Sequence, residues 1–236
     1  MKRPSNMPRL KGYRFSSKII AYAVWAYYRF TLSTADVEDL LAERGVYVSR
    51  ETIRNWVNRF VRHFADCIKR DRPGTGDKWH LDEVVISIKG KKNWLWRAVD
   101  AKGDVLDILV QSRRNTSAAK RFFRKLFRRW DKPRVLVTDK LGSYAAAKAE
   151  IAPGIEHRQH KVLNNRAEAS HRHTRRPEKI MGRFKSPSQA QWFLTAHDQI
   201  ATLFRPKRHR YSARSYRHAR SDAFSIWVDY AADLAA

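Results

Sequence analysis

The chain has 236 residues with 49 Lys+Arg against 23 Asp+Glu, a formal net charge of +26 and a sequence pI of about 10.7. Its 43% hydrophobic residues and eight Trp can close a sizeable core, which excludes a disordered basic tail. One cysteine excludes intramolecular disulfides and a Cys-rich zinc site, and no apolar run approaches the ~18 residues of a membrane span. So lopsided a charge opposes compaction through self-repulsion, so a polyanionic partner is expected, nucleic acid foremost.

Residues 1–15 read as a basic arm, and no acid precedes Asp36. The arm lacks the apolar core and cleavage site of a signal peptide, so a cytosolic chain is expected. Ser16-Ser17 can cap a helix running to about Phe30. Ser33 or Thr34 caps a second helix, which takes an apolar side from Leu40 and Leu41, and Gly45 is placed to end it in a left-handed conformation. Ser49 caps a third. There Ile53, Trp56, Val57, Phe60, Val61 and Phe64 recur at steps of three and four, a strong amphipathic signal. The opposite face shows Arg50, Arg54, Asn55, Asn58, Arg59 and Arg62. Helix, glycine turn and basic helix read as a helix-turn-helix, with Arg50, Arg54, Asn55 and Arg59 as candidates to contact base edges in the major groove. The plainer reading is a three-helix cap with a solvated basic face.

The stretch "RDRPGTGD" is a linker by its charge, Pro73, Gly74 and Gly76. Beyond it, 79–90, 93–100 and 104–112 are β-rich and separated by short turns, which predicts three antiparallel strands. Asn115 or Thr116 then caps a helix that Pro133 terminates. "RVLVTD" is a strand, "GSYAAAKAEI" a helix and "IEHRQHKV" a last strand. Asn164 or Asn165 opens a basic helical stretch, and two further helices follow Ser186. The order β-β-β-α-β-α-β-α-α predicts an α/β domain with a mixed five-stranded sheet and helices on its faces, preceded by an all-α domain. The boundaries read as 1–70, a linker at 71–77, a core at 78–205 and a basic helical extension at 206–236.

A nucleic-acid binder must account for acids near its ligand, since carboxylates repel phosphate. Three stand out. Asp82 lies inside an apolar strand, with Glu83 pointing to the other face by alternation. Asp139 closes "VLVTD". Glu168 follows two asparagines in a stretch full of Arg and His. Converging carboxylates repel unless a divalent cation lies between them, and Mg²⁺ prefers hard oxygen ligands. Two such ions can assist both the attacking and the leaving oxygen of a phosphoryl displacement. The plainer reading of Asp139 is a cap for the following helix.

The motifs "WHLDE", "WLWRAVDAKGDVLD", "SRRNTSAAKRFF", "VTDKLGSY", "EHRQHKVLNNRAE" and "GRFKS", in this order, resemble the DDE transposases of the bacterial insertion-sequence-six family. "DLLAERGVYVSRETIRNWVNRF" resembles the family's helix-turn-helix. The resemblance spans about residues 15–205. It implies an RNase H-like core whose catalytic and metal-binding acids are Asp82, Asp139 and Glu168, using two Mg²⁺ ions or Mn²⁺ in their place. It implies an enzyme that binds terminal inverted repeats, cuts the element's ends and joins the freed 3′-hydroxyl to target DNA. Paired ends imply a homodimer or higher oligomer, at work on the bacterial nucleoid in the cytoplasm. Arg175 stands where many DDE enzymes place a basic residue, at 168 + 7, and Lys140, Arg172 and Arg176 join it as candidate DNA contacts. From Glu156 to Arg220 there are 16 Lys+Arg against 4 Asp+Glu, which suits backbone contact. Two departures stand out. The interval from Asp139 to Glu168 is 29 residues, shorter than is usual in the family, and "ASHRHTRRPEK" is unusually rich in Arg and His. Two rivals share parts of this pattern: a regulator that lost catalysis, and an RNase H-like nuclease. The first would not need all three acids, and the second would rarely carry a helix-turn-helix.

Overall fold

The computed structural model describes residues 8, 10–160, 164, 167, 184–206, 208 and 211–235. They divide into two compact units, one from Met1–Arg72 with Ala196–Ala236 and the other from Pro73–Thr195.

The first unit is helical. Helices α1 (Ser17–Phe30), α2 (Thr34–Ala42) and α3 (Arg50–Arg70) come first. Ser33 caps α2 in a reciprocal box: its hydroxyl accepts the Asp36 N–H at 3.1 Å, and Asp36 accepts the Ser33 N–H at 2.8 Å. Gly45 takes φ +72° after α2, the left-handed turn that a side chain would strain. Ser49 accepts the Thr52 N–H at the start of α3. The apolar stripe of α3, Ile53, Trp56, Val57, Phe60, Val61 and Phe64, is buried.

The end of the chain differs from the expected arrangement of a core to residue 205 and a separate extension. Residues 196–236 group with the N-terminal helices. Helix α7 (Ala213–Asp233) inserts Trp227, which stacks on Phe64 at 4.0 Å between ring centroids and donates its indole N–H to the Ala21 carbonyl. The His63 ring donates to the Tyr230 carbonyl at 2.8 Å. Burying rings of this size stabilises by ~1.5–3 kcal/mol each, enough to bind the two chain segments into one core.

The second unit is built on a five-stranded sheet in the order β3-β2-β1-β4-β5. Strands β1 (Lys78–Ile88), β2 (Lys91–Asp100) and β3 (Val105–Gln111) form an antiparallel meander. Lys89 and Gly90 both have positive φ, 48° and 76°, as a two-residue hairpin turn of matching twist requires. After α4 (Thr116–Arg129), capped by Asn115, β4 (Val135–Thr138) pairs parallel to β1. Then α5 (Gly142–Ile151) leads to β5 (Glu156–Gln159), parallel to β4. Of the 155–162 run expected for it, the last strand takes Glu156–Gln159, and residues 161 and 162 lie outside the described residues. Trp79, Leu81, Trp96 and Leu106 from the sheet meet Phe122, Phe123 and Leu126 from α4 and Tyr144 from α5 in one core. This is the RNase H-like arrangement. Helix α6 (Pro187–Phe204) follows. Among the described residues, no helix is long and apolar enough to cross a membrane.

Candidate catalytic carboxylate site

The β1–β4 ladder sets the site. Trp79 is level with Leu136 and His80 with Val137. Carried on at the same offset, the register brings Asp82 level with Asp139, just past the end of β4. A parallel strand that stops leaves its neighbour uncovered, and ligands of open α/β sheets bind beyond such carboxyl ends. Carboxylate oxygens of Asp82, Glu83 and Asp139 all lie within 4.8 Å of one another. Asp82 and Asp139 are half-buried and Glu83 is buried.

Each oxygen of Asp139 has its own task. Oδ1 accepts the Leu141 N–H at 3.0 Å, holding the turn into α5, while Oδ2 faces Arg114 at 3.5 Å. Asp139 thus braces the turn before α5 rather than capping the helix, whose N-cap position is Leu141 and has no side-chain cap. Its neighbour Thr138 is buried, and its hydroxyl lies 2.9 Å from Nε2 of His157, whose pKa burial lowers. Nδ2 of Asn164 donates to the carbonyl of Leu81, the residue before Asp82, at 2.8 Å.

Alternation sets Glu83 on the sheet face opposite to that of Asp82, as expected. It stands opposite Trp96 on β2 and so belongs to the aromatic face of the sheet. Its carboxylate nevertheless reaches the other two acids. Oε2 accepts the Tyr144 hydroxyl at 2.7 Å, and Oε1 accepts Nε of Arg114 at 2.6 Å. Burial pushes Glu83 up to about 7, against the pull of Tyr144 and Arg114. Burial, then the adjacent Glu83, drives the Tyr144 hydroxyl well above its ordinary value, so it remains a donor. Arg114 also lies over the Trp94 ring at 4.9 Å. Sequence reasoning missed Glu83, Arg114 and Tyr144. The available signals were the Asp-Glu doublet, the arginine directly before the α4 cap, and a tyrosine one turn into α5.

Of the other expected residues, Lys140 is exposed beside Asp139. Glu168, Arg172, Arg175 and Arg176 lie outside the described residues. Arg50, Arg54, Asn55 and Arg59 share the exposed face of α3. Arg50 pairs with Glu38 at 2.7 Å, Arg54 with Glu51, and Arg59 lies over Tyr13. Exposed pairs of this kind are weak and screened by salt, so a phosphate or base can displace the acid. A second set of potential ligand atoms, from His63, Cys67 and Asp233, lies in the helical unit. There burial pushes the Cys67 thiol up to about 11.

A mixed sheet of this order, with carboxylates gathered where β4 ends beside β1, defines an RNase H-like core. Comparison with known proteins narrows the class. A family model described as a DDE domain matches residues 76–207. The chain is 32% identical over 220 residues to the transposase for insertion sequence-like element IS431mec of Staphylococcus aureus, covering 91% of this chain and 96% of that protein. It is 31% identical over the same coverage to the transposase for insertion sequence element IS257 in transposon Tn4003 of Staphylococcus aureus. Among solved structures it is similar to the HTLV-2 integrase catalytic core domain in complex with magnesium, at 14% identity over 56% of this chain and 86% of that one, with a TM-score of 0.40. The chain belongs to the insertion-sequence-six family of DDE transposases.

Proposed function

We propose that this transposase recognises the terminal inverted repeats of its own element through the exposed face of α3. It then cleaves the ends and transfers the strands at a site made of Asp82, Asp139 and Glu168. The observation that carries this reading is the register that brings Asp82 level with Asp139, their oxygens within 4.8 Å.

The donors in this cluster are all carboxylate oxygens, the set that suits Mg²⁺, or Mn²⁺ in its place. A guanidinium already stands among them as counter-charge, so the group as built calls for cations. Asp82 and Asp139 would hold the metal, with Glu168 completing the set. The Asn164 anchor beside Asp82, shortly before Glu168 in sequence, supports that assignment. Two bound ions would supply Lewis-acid stabilisation to the entering and departing oxygens of an in-line displacement. The chain's own residues do the rest. The Leu141 N–H and Arg114 hold the Asp139 carboxylate in one orientation. Tyr144 and Arg114 occupy both Glu83 oxygens, which makes Glu83 a support rather than a ligand. Lys140, Arg172, Arg175 and Arg176 would hold DNA phosphates beside the acids. Two ends must meet for joining, so the working form is a homodimer or larger assembly.

Duplexes carrying the DNA that flanks this gene, incubated with the chain and Mg²⁺, should yield ends with a free 3′-hydroxyl and then joined products. Asp82→Asn should abolish both. Cleavage at the unaltered rate by Asp82→Asn would overturn the site.

A further inference from the structure

Helix α7 carries its charges in the reverse of the sense that the helix dipole favours. Helices α1, α3, α4 and α5 each carry basic residues in their last turn, where the helix dipole favours them. α7 has none in its last turn and no acid in its first. Its cations stand at the opposite end, as Arg214, Arg217 and Arg220, and its acids, Asp222, Asp229 and Asp233, fill the remainder. The three arginines follow at steps of three, which places them on one side of the helix and sets like charges next to one another. All three are exposed, and none pairs with a carboxylate among the described residues. Arg208, exposed just before the helix, lies over the Tyr216 ring at 5.1 Å.

Burial divides the helix at the same point. From Ala213 to Arg220 no residue is buried, whereas Ala223, Trp227, Tyr230 and Ala231 are. The first half is thus held helical by the anchor of the second half rather than by packing of its own. Two local choices, cations at the positive end of the dipole and repelling neighbours without acid partners, both oppose this helix. Both become favourable beside a polyanion. Local conflicts of this sort mark functional positions.

We propose that the first half of α7 is a clamp for the phosphate backbone of duplex DNA, its contact residues being Arg214, Arg217 and Arg220. The anchor through Trp227 fixes it to the unit that carries α3, so it adds sequence-independent affinity to recognition by that helix. The proposal rests on the reading of α3 only in taking DNA as the ligand.

The test uses the full chain with Arg214, Arg217 and Arg220 all changed to Gln, which keeps helix propensity. Fluorescence anisotropy would follow binding to a terminal-repeat duplex and to a scrambled duplex of equal length, across a series of KCl concentrations. Binding should weaken about equally on both, by roughly tenfold or more at low salt. The slope of log K against log salt should become shallower by about 2.7, from ~0.9 per lost phosphate contact. Thermal melting should be unchanged or raised at low salt, because like charges have gone. Should the triple variant melt early, Arg217→Gln alone should still shift the slope by ~0.9. An unaltered slope in a folded variant would overturn the clamp. Equal binding of both duplexes by the unmodified chain would instead refute recognition by α3 and leave the slope comparison standing.

Discussion

The two units handle charge in opposite ways. The sheet unit gathers three carboxylates within 4.8 Å and holds two of them, Glu83 and Asp139, with the Tyr144 hydroxyl, the Arg114 guanidinium and the Leu141 N–H. The helical unit turns its arginines outward, pairs several of them with surface acids, Arg50 with Glu38 and Arg54 with Glu51 among them, and, among the described residues, leaves three on α7 without acids. Chemistry requires charges held in place before the substrate arrives, since orientation gained in advance is not lost in the transition state. Recognition requires charges that can exchange partners. On the proposed reading, the acids beside α3, Glu38 and Glu51, would discourage random phosphate contact, which the stripe on α7 would invite.

The largest effects should come from breaking the locked set. Asp82→Asn and Asp139→Asn should each reduce cleavage and joining by roughly 10³-fold or more, with the double variant scarcely worse, because residues acting as one unit are non-additive. Metal-free binding of terminal-repeat DNA by these variants should hold or improve, as gel shift would show. Loss of binding along with catalysis would mean that the units do not divide the work.

Tyr144→Phe should come next. It leaves a buried Glu83 oxygen without its donor, which costs about 1–3 kcal/mol in urea unfolding. Repeat binding should be untouched, and a variant as stable as the parent would show that water or Arg114 serves Glu83 instead. In the helical unit, Arg54→Ala or Asn55→Ala should lose ~1–3 kcal/mol for the terminal repeat and much less for scrambled DNA, read by competition binding. Equal loss on both would make α3 a backbone contact like the one proposed for α7. The smallest effect concerns Cys67. Its thiol is raised by burial, so the neutral form favours the fold below about pH 9, and that contribution fades as pH rises to about 11. Cys67→Ala should flatten the stability profile over that window, and native alkylation near neutral pH should be slow until urea opens the unit.

What could be read from sequence was mostly local. Ser33, Ser49 and Asn115 cap where their side-chain chemistry says they should, and Gly45 has the positive φ its place implied. Asp139 drew notice as a carboxylate that ends an apolar strand, and the structure sets its oxygens within 4.8 Å of those of Asp82 and Glu83. The reach of Glu83 was not legible. Alternation gives the face on which a side chain starts, and a glutamate is long enough to finish beside a neighbour that starts on the other. Arg114 sits in a turn, where no periodicity points. The docking of α7 was hidden for a different reason: Trp227 and Phe64 are far apart in sequence, and each looks like an ordinary apolar position on its own helix.

That pairing of distant segments has a consequence for how the protein comes into being. The ribosome releases α1–α3 first, the sheet unit second and Trp227 nearly last. The sheet unit's contacts lie within one continuous stretch, so it can fold during synthesis. The helical unit must close a loop that contains all of it, and long-range closure is slow. Until then the face of Phe64 lacks the Trp227 ring and the Ala21 carbonyl has only its helical donor, without the indole N–H of Trp227. A copy of the gene interrupted shortly before codon 227 would therefore make a chain with its carboxylates in place and its helical unit unfinished. On the proposed division of work, such a copy would keep its carboxylate cluster and lose its grip on DNA.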